Sequence, residues 1–218
     1  MTSQRQPEPP SDFATPRRAS IEEAQRISQT SDQRFEYWHG WLYPRGYPPG
    51  SHWAMSGGTK AHSRVITRLI HILDEHLETG PCTVYEGNVE LHLATEEYYF
   101  PDAFVTCTPL NDPTATTEWD AILVVEVLSP RTDKFDRTDK FDAYKGLPSI
   151  QEYLLLDSRC MRADLFRKIA EQWVQTTVLA DGDLTLASIG LTLPLATLYR
   201  RSGVPRTLAE TLSEGGGL

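Results

Sequence analysis

The chain is poor in whatever would send it into a membrane, staple it covalently or press it onto nucleic acid by bulk charge. No uninterrupted apolar stretch approaches the roughly 20 residues of a membrane-spanning helix. Cysteine occurs only three times in 218 residues, at Cys82, Cys107 and Cys160. Odd in number and far apart, these residues fit neither a disulfide framework nor a zinc-ligand pattern, and reduced structural thiols are expected. Positive charge is in deficit, with 21 Lys and Arg against 30 Asp and Glu, a net charge of −9. That balance counts against a protein that coats nucleic acid electrostatically. It leaves open an enzyme that meets phosphate through a bound divalent cation and a local lysine cluster. The opening MTSQRQPEPPSDF lacks an apolar signal core, so a cytoplasmic location is expected. With 39% hydrophobic and 23% charged residues, the composition is that of an ordinary soluble protein, long enough for one domain with appendages.

Residues 1–19, rich in Pro, Gln, Ser and Arg, read as a disordered tail. A single domain is expected over 20–200, with a second tail over 201–218. Ser20-Ile21-Glu22-Glu23 has the form of a capping box opening a helix through about Ser28. RFEYWHGWLYPRG alternates around Gly40 and predicts a hairpin, followed by a loop at YPPGSH and a short strand over 53–56. From Thr59 to Glu78, Val65, Ile66, Leu69, Ile70, Leu73 and Leu77 recur at helical spacing, and Gly80-Pro81 ends the run. Strands are expected at about 83–93, 98–107 and 121–128, with a polar surface loop between the last two.

The hexapeptide RTDKFD then occurs twice in tandem, at 131–136 and 137–142. Its period matches neither helix nor strand well, so it reads as coincidence or local duplication and not as a solenoid. A helix from about Asp136 to Lys145 is expected, stopped by Gly146 and Pro148. QEYLLLD (151–157) is a buried strand, and the intervening helix implies a crossover that makes it parallel to 121–128. An outer hairpin over 162–168 and 171–179 and a short amphipathic helix near Leu193 to Tyr199 complete the chain. The order helix, three strands, helix, strand specifies an α/β fold with a mixed sheet.

The chemistry concentrates in two places. AILVVEVL (121–128) is a buried-strand pattern with Glu126 set into it. A carboxylate there costs several kcal/mol unless its charge is compensated. About twenty residues earlier, Asp102 follows Pro101 inside YYFPDAFVTC. Magnesium takes oxygen ligands at about 2.1 Å and keeps several waters. Asp102 and Glu126 offer two such oxygens, and the Val127 backbone carbonyl offers a third. A lysine on the following helix completes the set by orienting water or stabilising phosphate charge. Lys140 occupies that place, with Tyr144 one turn later, and Lys134 is its equivalent in the first hexamer.

Each residue also has a plain structural reading. Glu126 could be the partner of a buried cation, and Asp102 a strand-start residue. The RTDKFD repeats could form a solvated helix face, His62 could be a satisfied structural histidine, and Glu36 a surface residue of the hairpin.

In order, FEYWHGWLYPRG, MSGGTKAHSRVITRLIHILDEHL, FPDAFV and ILVVEVLSPRTDKFDRTDKFDAYKGLPSIQEYLLLD resemble the bacterial Uma-two family. That family belongs to the PD-(D/E)XK nuclease superfamily. The resemblance runs from about Glu36 to Asp157, with a weaker echo in SIGLTLPLATLY. EVLSP followed by DRTDKFDAY and EYLLLD is its specific part. It implies a restriction endonuclease-like fold, a mixed sheet flanked by helices in the order αβββαβ, with an N-terminal hairpin and an outer C-terminal hairpin. It places the sheet metal ligands on Asp102 and Glu126. The lysine is shifted from the position two residues after the glutamate, where Leu128 stands, to Lys140 on the next helix. Glu36, His62 and Tyr144 also fall on characteristic positions, as secondary site residues. Trp38-His39 departs from the usual aliphatic-Asp pair before Gly40.

The resulting expectation is a magnesium-dependent endonuclease (manganese a possible substitute) that hydrolyses DNA by a metal-activated water. It has no membrane partner, and a homodimer would suit cutting of both strands. The alternative is a catalytically inactive module that keeps the fold and binds nucleic acid or a protein. A hydrolase acting on a non-nucleic substrate is a third option. Retention of a costly buried carboxylate pair favours the first reading.

Overall fold

In the structure, a computed structural model describing residues 16–31, 33–44, 58–93 and 96–209, the chain divides into two units, Met1–Ser56 and Gly57–Leu218. The first contains β1 (Arg17–Arg18), α1 (Ile21–Thr30), β2 (Phe35–Trp38) and β3 (Trp41–Pro44). Ser20 caps α1, its side-chain oxygen accepting the Glu23 backbone N–H at 3.2 Å, as the capping-box pattern requires. β2 and β3 form the expected hairpin, with Trp38 opposite Trp41. His39 and Gly40 link them with φ of 49° and 75°, the left-handed pair that tight hairpin turns demand. β1 pairs outside β3, so Arg17 and Arg18, assigned to the tail on composition, form a strand instead. The Arg18 guanidinium lies 4.7 Å from the Trp41 ring centroid, a cation–π contact. The expected tail at 1–15, loop at 47–52, strand at 53–56 and end of the chain from 210 lie outside the described residues.

The second unit begins with α2 (Lys60–Leu77), capped by Thr59, whose hydroxyl accepts the His62 N–H at 3.2 Å. Its i, i+4 stripe of Val65, Leu69, Leu73 and Leu77 is buried. Then follow β4 (Thr83–Glu86), β5 (Glu90–His92), β6 (Tyr98–Tyr99), β7 (Ala103–Thr106), β8 (Thr117–Glu118) and β9 (Leu123–Leu128). Two of the three expected strands are therefore split. A turn after Glu86 breaks the first, and Pro101, with no N–H to give a ladder, breaks the second just before Asp102. β5 pairs with β6 and β8.

The crossover consists of α3 (Asp133–Arg137) and α4 (Asp139–Lys145), not one continuous helix. The seam is Thr138, at φ −117° and ψ −86°. β10 (Glu152–Asp157) returns parallel to β9, in register from Glu152–Leu123 to Asp157–Leu128. β11 (Arg162–Ile169) and β12 (Gln172–Leu179) form the outer hairpin, and β13 (Asp183–Leu186) pairs with β14 (Leu191–Pro194). The main sheet runs β12-β11-β10-β9-β7-β4, parallel only between β9 and β10, which is the mixed α/β sheet expected. The amphipathic helix anticipated near Leu193 is absent. Leu193 and Pro194 pair with β13 instead, and only a 3-10 turn, Leu195–Thr197, follows. In the segment expected to be a C-terminal tail, Val204 is buried and the Pro205 carbonyl accepts the Met161 N–H.

The α2 stripe packs against Ala103, Val105, Leu123, Val125, Val127, Leu154 and Leu156. Because successive strand residues face opposite sides, this leaves Val124, Glu126 and Leu128 on the face crossed by α3 and α4. The expectation of reduced thiols is overturned for two cysteines. Cys82 and Cys107 form a disulfide, because the β4–β7 register, Thr83 opposite Thr106, sets them across from each other one step beyond. Cys160 is free and buried.

Candidate active site

β7 and β9 are antiparallel, with Ala103 opposite Val125. One step further along that register, Asp102 comes opposite Glu126. Asp102 lies just outside the ladder, freed by Pro101, and its Oδ2 accepts the Val127 backbone N–H at 2.8 Å. The imidazole of His62, from the first turn of α2, approaches the same oxygen with Nε2 at 3.5 Å and also faces the backbone of Val127. Burial alone would raise the Asp102 carboxyl. Contacts with His62 and the Val127 N–H, reinforced by the Lys140 charge, hold it below its ordinary value. Burial would lower His62, yet Asp102, the Val127 backbone and the more distant Asp136 shift it upward from its ordinary value. The two side chains thus favour each other's charged forms, and the 16% side-chain exposure of Asp102 keeps that carboxylate reachable. A Cβ at Gly58 would come within 2.9 Å of His62 Nδ1, so glycine there lets the chain pass closely behind the ring.

Glu126 is buried in the middle of β9. Its Oε1 accepts from Lys140 Nζ at 3.0 Å and from the Tyr144 hydroxyl at 3.2 Å. The ammonium of Lys140 is itself buried, 5.6 Å from the Tyr99 ring centroid and 5.9 Å from that of Phe135. Asp136 Oδ1 stands 3.8 Å from Nζ on the preceding turn. Lys140 therefore sits between two carboxylates under aromatic walls. Tyr153 donates its hydroxyl to the Asp136 backbone carbonyl at 2.9 Å. Burial, with Glu126 and Asp136 nearby, pushes its phenol well up, so it remains a neutral donor.

The structure thus gathers five of the sequence-derived candidates, Asp102, Glu126, Lys140, His62 and Tyr144, around the β9 strand. The Val127 backbone belongs to the same cluster. Lys134 is exposed on α3. Glu36 belongs to the other unit, on β2 opposite Tyr43. Asp136 is the residue the sequence reading missed. Its signal was the four-residue spacing to Lys140 and again to Tyr144, hidden by the six-residue repeat laid over it.

Among the described residues no three His, Cys, Asp or Glu side chains converge as a ready metal cage. The Asp102 and Glu126 pair nevertheless suits a hard cation that binds through one or two carboxylates and retains water. The donors are all oxygen, and the carboxylates lie across adjacent strands.

The family model Uma2, described as a putative restriction endonuclease, matches residues 21–196. The chain belongs to the Uma2 family. It is 33% identical over 183 residues to the uncharacterized protein slr1290 of Synechocystis sp., covering 83% of this chain and 91% of that one. A second Synechocystis protein, the uncharacterized sll1609, is 28% identical over 131 residues, covering 58% of this chain and 74% of that protein. Among solved structures, a putative nuclease belonging to DUF820 from Anabaena variabilis aligns with a TM-score of 0.65 at 15% identity, over 83% of this chain and 97% of its own. That likeness shows the fold, which is the restriction endonuclease-like architecture expected of this Uma2 member. No helix among the described residues is long and apolar enough to cross a membrane.

Proposed function

We propose that this Uma2 protein is a magnesium-dependent endonuclease that hydrolyses DNA phosphodiester bonds. The observation that carries the proposal is the buried Lys140–Glu126 contact at 3.0 Å, with Asp102 on the neighbouring strand. A carboxylate and an ammonium in one desolvated place, beside a second carboxylate, form a set suited to a cation and a phosphate together.

In this reading Asp102, Glu126 and the Val127 carbonyl would hold the ion. When bound, magnesium supplies Lewis acidity toward a phosphoryl oxygen and makes a coordinated water more acidic. Lys140 stabilises the negative charge that builds on the phosphate as the bond breaks, a role effective because its surroundings exclude water. Tyr144 fixes the Glu126 carboxylate by donating to Oε1. His62 and the Val127 N–H fix Asp102, so both ligands are oriented before the ion arrives. Family membership and the nuclease-like fold support the assignment without identifying the substrate.

Plasmid nicking in magnesium or manganese tests it. Wild type should relax supercoiled DNA, and Asp102→Ala, Glu126→Ala and Lys140→Ala should each lose that activity. Thermal shift should show stabilisation of wild type by manganese and its loss in the two carboxylate variants. Nicking that survives in all three variants, or a melting temperature indifferent to divalent cations, would sink the proposal.

A further inference from the structure

The two edges of the main sheet are built differently. β4 closes one edge with four residues, ends in Glu86, follows the Cys82–Cys107 disulfide and lies along α2. β12 closes the other with eight residues, QWVQTTVL, none of them charged. Natural sheets protect long edges with lysine, proline or a bulge, because exposed N–H and C=O groups recruit another strand. β12 has none of these, and it pairs with β11 without a register break from Gln172 to Leu179. Among the described residues no other strand pairs with β12. Large exposed apolar side chains cluster on the same hairpin: Ile169 at 52%, Val174 at 46% and Leu179 at 61%.

We propose that β12 is a self-association edge, at which two copies of this chain pair antiparallel and join their main sheets across a two-fold axis at Thr176. The inference stands apart from the nuclease reading. A two-fold axis normal to the sheet keeps every side chain on its own face, so opposing residues must share parity. Centring the pair on Thr176 sets Val174 opposite Val178 on one face and Trp173 opposite Leu179 on the other, each contact made twice. β-branched and aromatic cross-strand pairs of this kind are the favourable ones. Centring on Gln175 would spend the same apolar groups on Thr176 and Thr177.

Two copies, each at −9, repel at long range, and an uncharged edge adds no close repulsion to that. Just past the ladder Glu171 would face Asp181, and each already has a cation. Lys168 holds Glu171 at 2.8 Å, and Arg206 pairs with Asp181. A foreign strand has no need to match a pattern symmetric about Thr176.

Sedimentation or light scattering on the full chain should give about 49 kDa, twice the 24.6 kDa of one copy. Thr176→Lys sets two ammonium groups against each other on the axis. It should weaken the dimer ~100-fold or more and return the single-copy mass, with circular dichroism unchanged. Should that variant fail to fold, Thr176→Cys decides by a second route. Mild oxidation should convert it to a covalent dimer on a non-reducing gel, whereas Asp142→Cys, exposed on α4, should stay single. A wild type that remains monomeric at every concentration overturns the proposal. So does a Thr176→Lys variant that stays dimeric, or a Thr176→Cys variant that does not cross-link.

Discussion

The two copies of RTDKFD are identical in letters and opposite in fate. In the first, Lys134 is exposed and Asp136 is buried; in the second, Lys140 is buried and Asp142 is exposed. Arg131 is exposed, whereas Arg137 bonds Asp133 at 2.5 Å and Asp164 at 2.8 Å. Phe135 is buried near Tyr99, and Phe141 lies flat against Tyr153 at 5.4 Å with 6° between the rings. The cause is angular. Six residues advance a helix by about 600°, which returns a repeated residue roughly 120° away from its copy. The seam at Thr138 adds to the mismatch. A residue's chemistry here is set by its phase against β9, and the phase that matters runs Asp136, Lys140, Tyr144 across the boundary between the copies.

Exchanging one lysine at a time breaks the comparison most sharply. Lys140→Ala should lower metal-dependent nicking roughly 100- to 1,000-fold, the cost of one charge-stabilising donor in a desolvated site. Lys134→Ala should leave the nicking rate near wild type, and the reverse result would move the site to the first copy. The aspartates test stability instead. Asp136→Ala strips a buried carboxylate from beside the Lys140 ammonium, which keeps Glu126 as its partner, and should cost about 1–3 kcal/mol in urea denaturation. Asp142→Ala, at the equivalent letter, should stay within about 0.5 kcal/mol.

Acid titration sharpens the comparison at the arginines. Burial would raise the Asp164 carboxyl, but Arg162, Thr177 and Arg137 hold it below 3.8. Arg159 and Arg137 do the same for Asp133, again against its burial. A carboxyl lowered on folding stabilises the fold fully above its unfolded value, and that stabilisation is lost as pH falls through the folded one. Melting temperature should therefore drop steeply below about pH 3.8, and Asp164→Asn should flatten that limb. The smallest effect belongs to Arg131→Ala, exposed at the first copy, which should leave the whole melting profile within about 0.5 kcal/mol of wild type.

Much of this was legible in the letters. α2 announced itself by its apolar spacing and its Thr59 cap, and β9 by an apolar run interrupted at Glu126. The parallel return of β10 followed from a crossover helix. The site was legible as far as each member had a local signal, such as a carboxylate in an apolar strand or one after a proline. Resemblance to the family was needed to favour Lys140 over Lys134. Asp136 was harder to read, because its four-residue spacing to Lys140 is masked by the six-residue repeat and crosses the break at Thr138. The Cys82–Cys107 bond was not legible. Its 25-residue separation says nothing until the β4–β7 register is known, and the turn after Glu86 and the Pro101 break set that register. The helix expected near Leu193 failed at its start because Leu193 and Pro194 pair with β13, leaving room only for the 3-10 turn Leu195–Thr197.

That same Cys82–Cys107 bond has a consequence for how the edge of the sheet breathes. With the sulfurs joined at Cys82, just before β4, the amide protons that β4 gives to β7 exchange less readily by fraying from the Thr83 end. Opening from that end then also loosens Ala103 to Thr106, the stretch beginning right after Asp102. Once a reductant cuts the tether, these amides should trade isotopes on the schedule of a loose end, well ahead of those in β9.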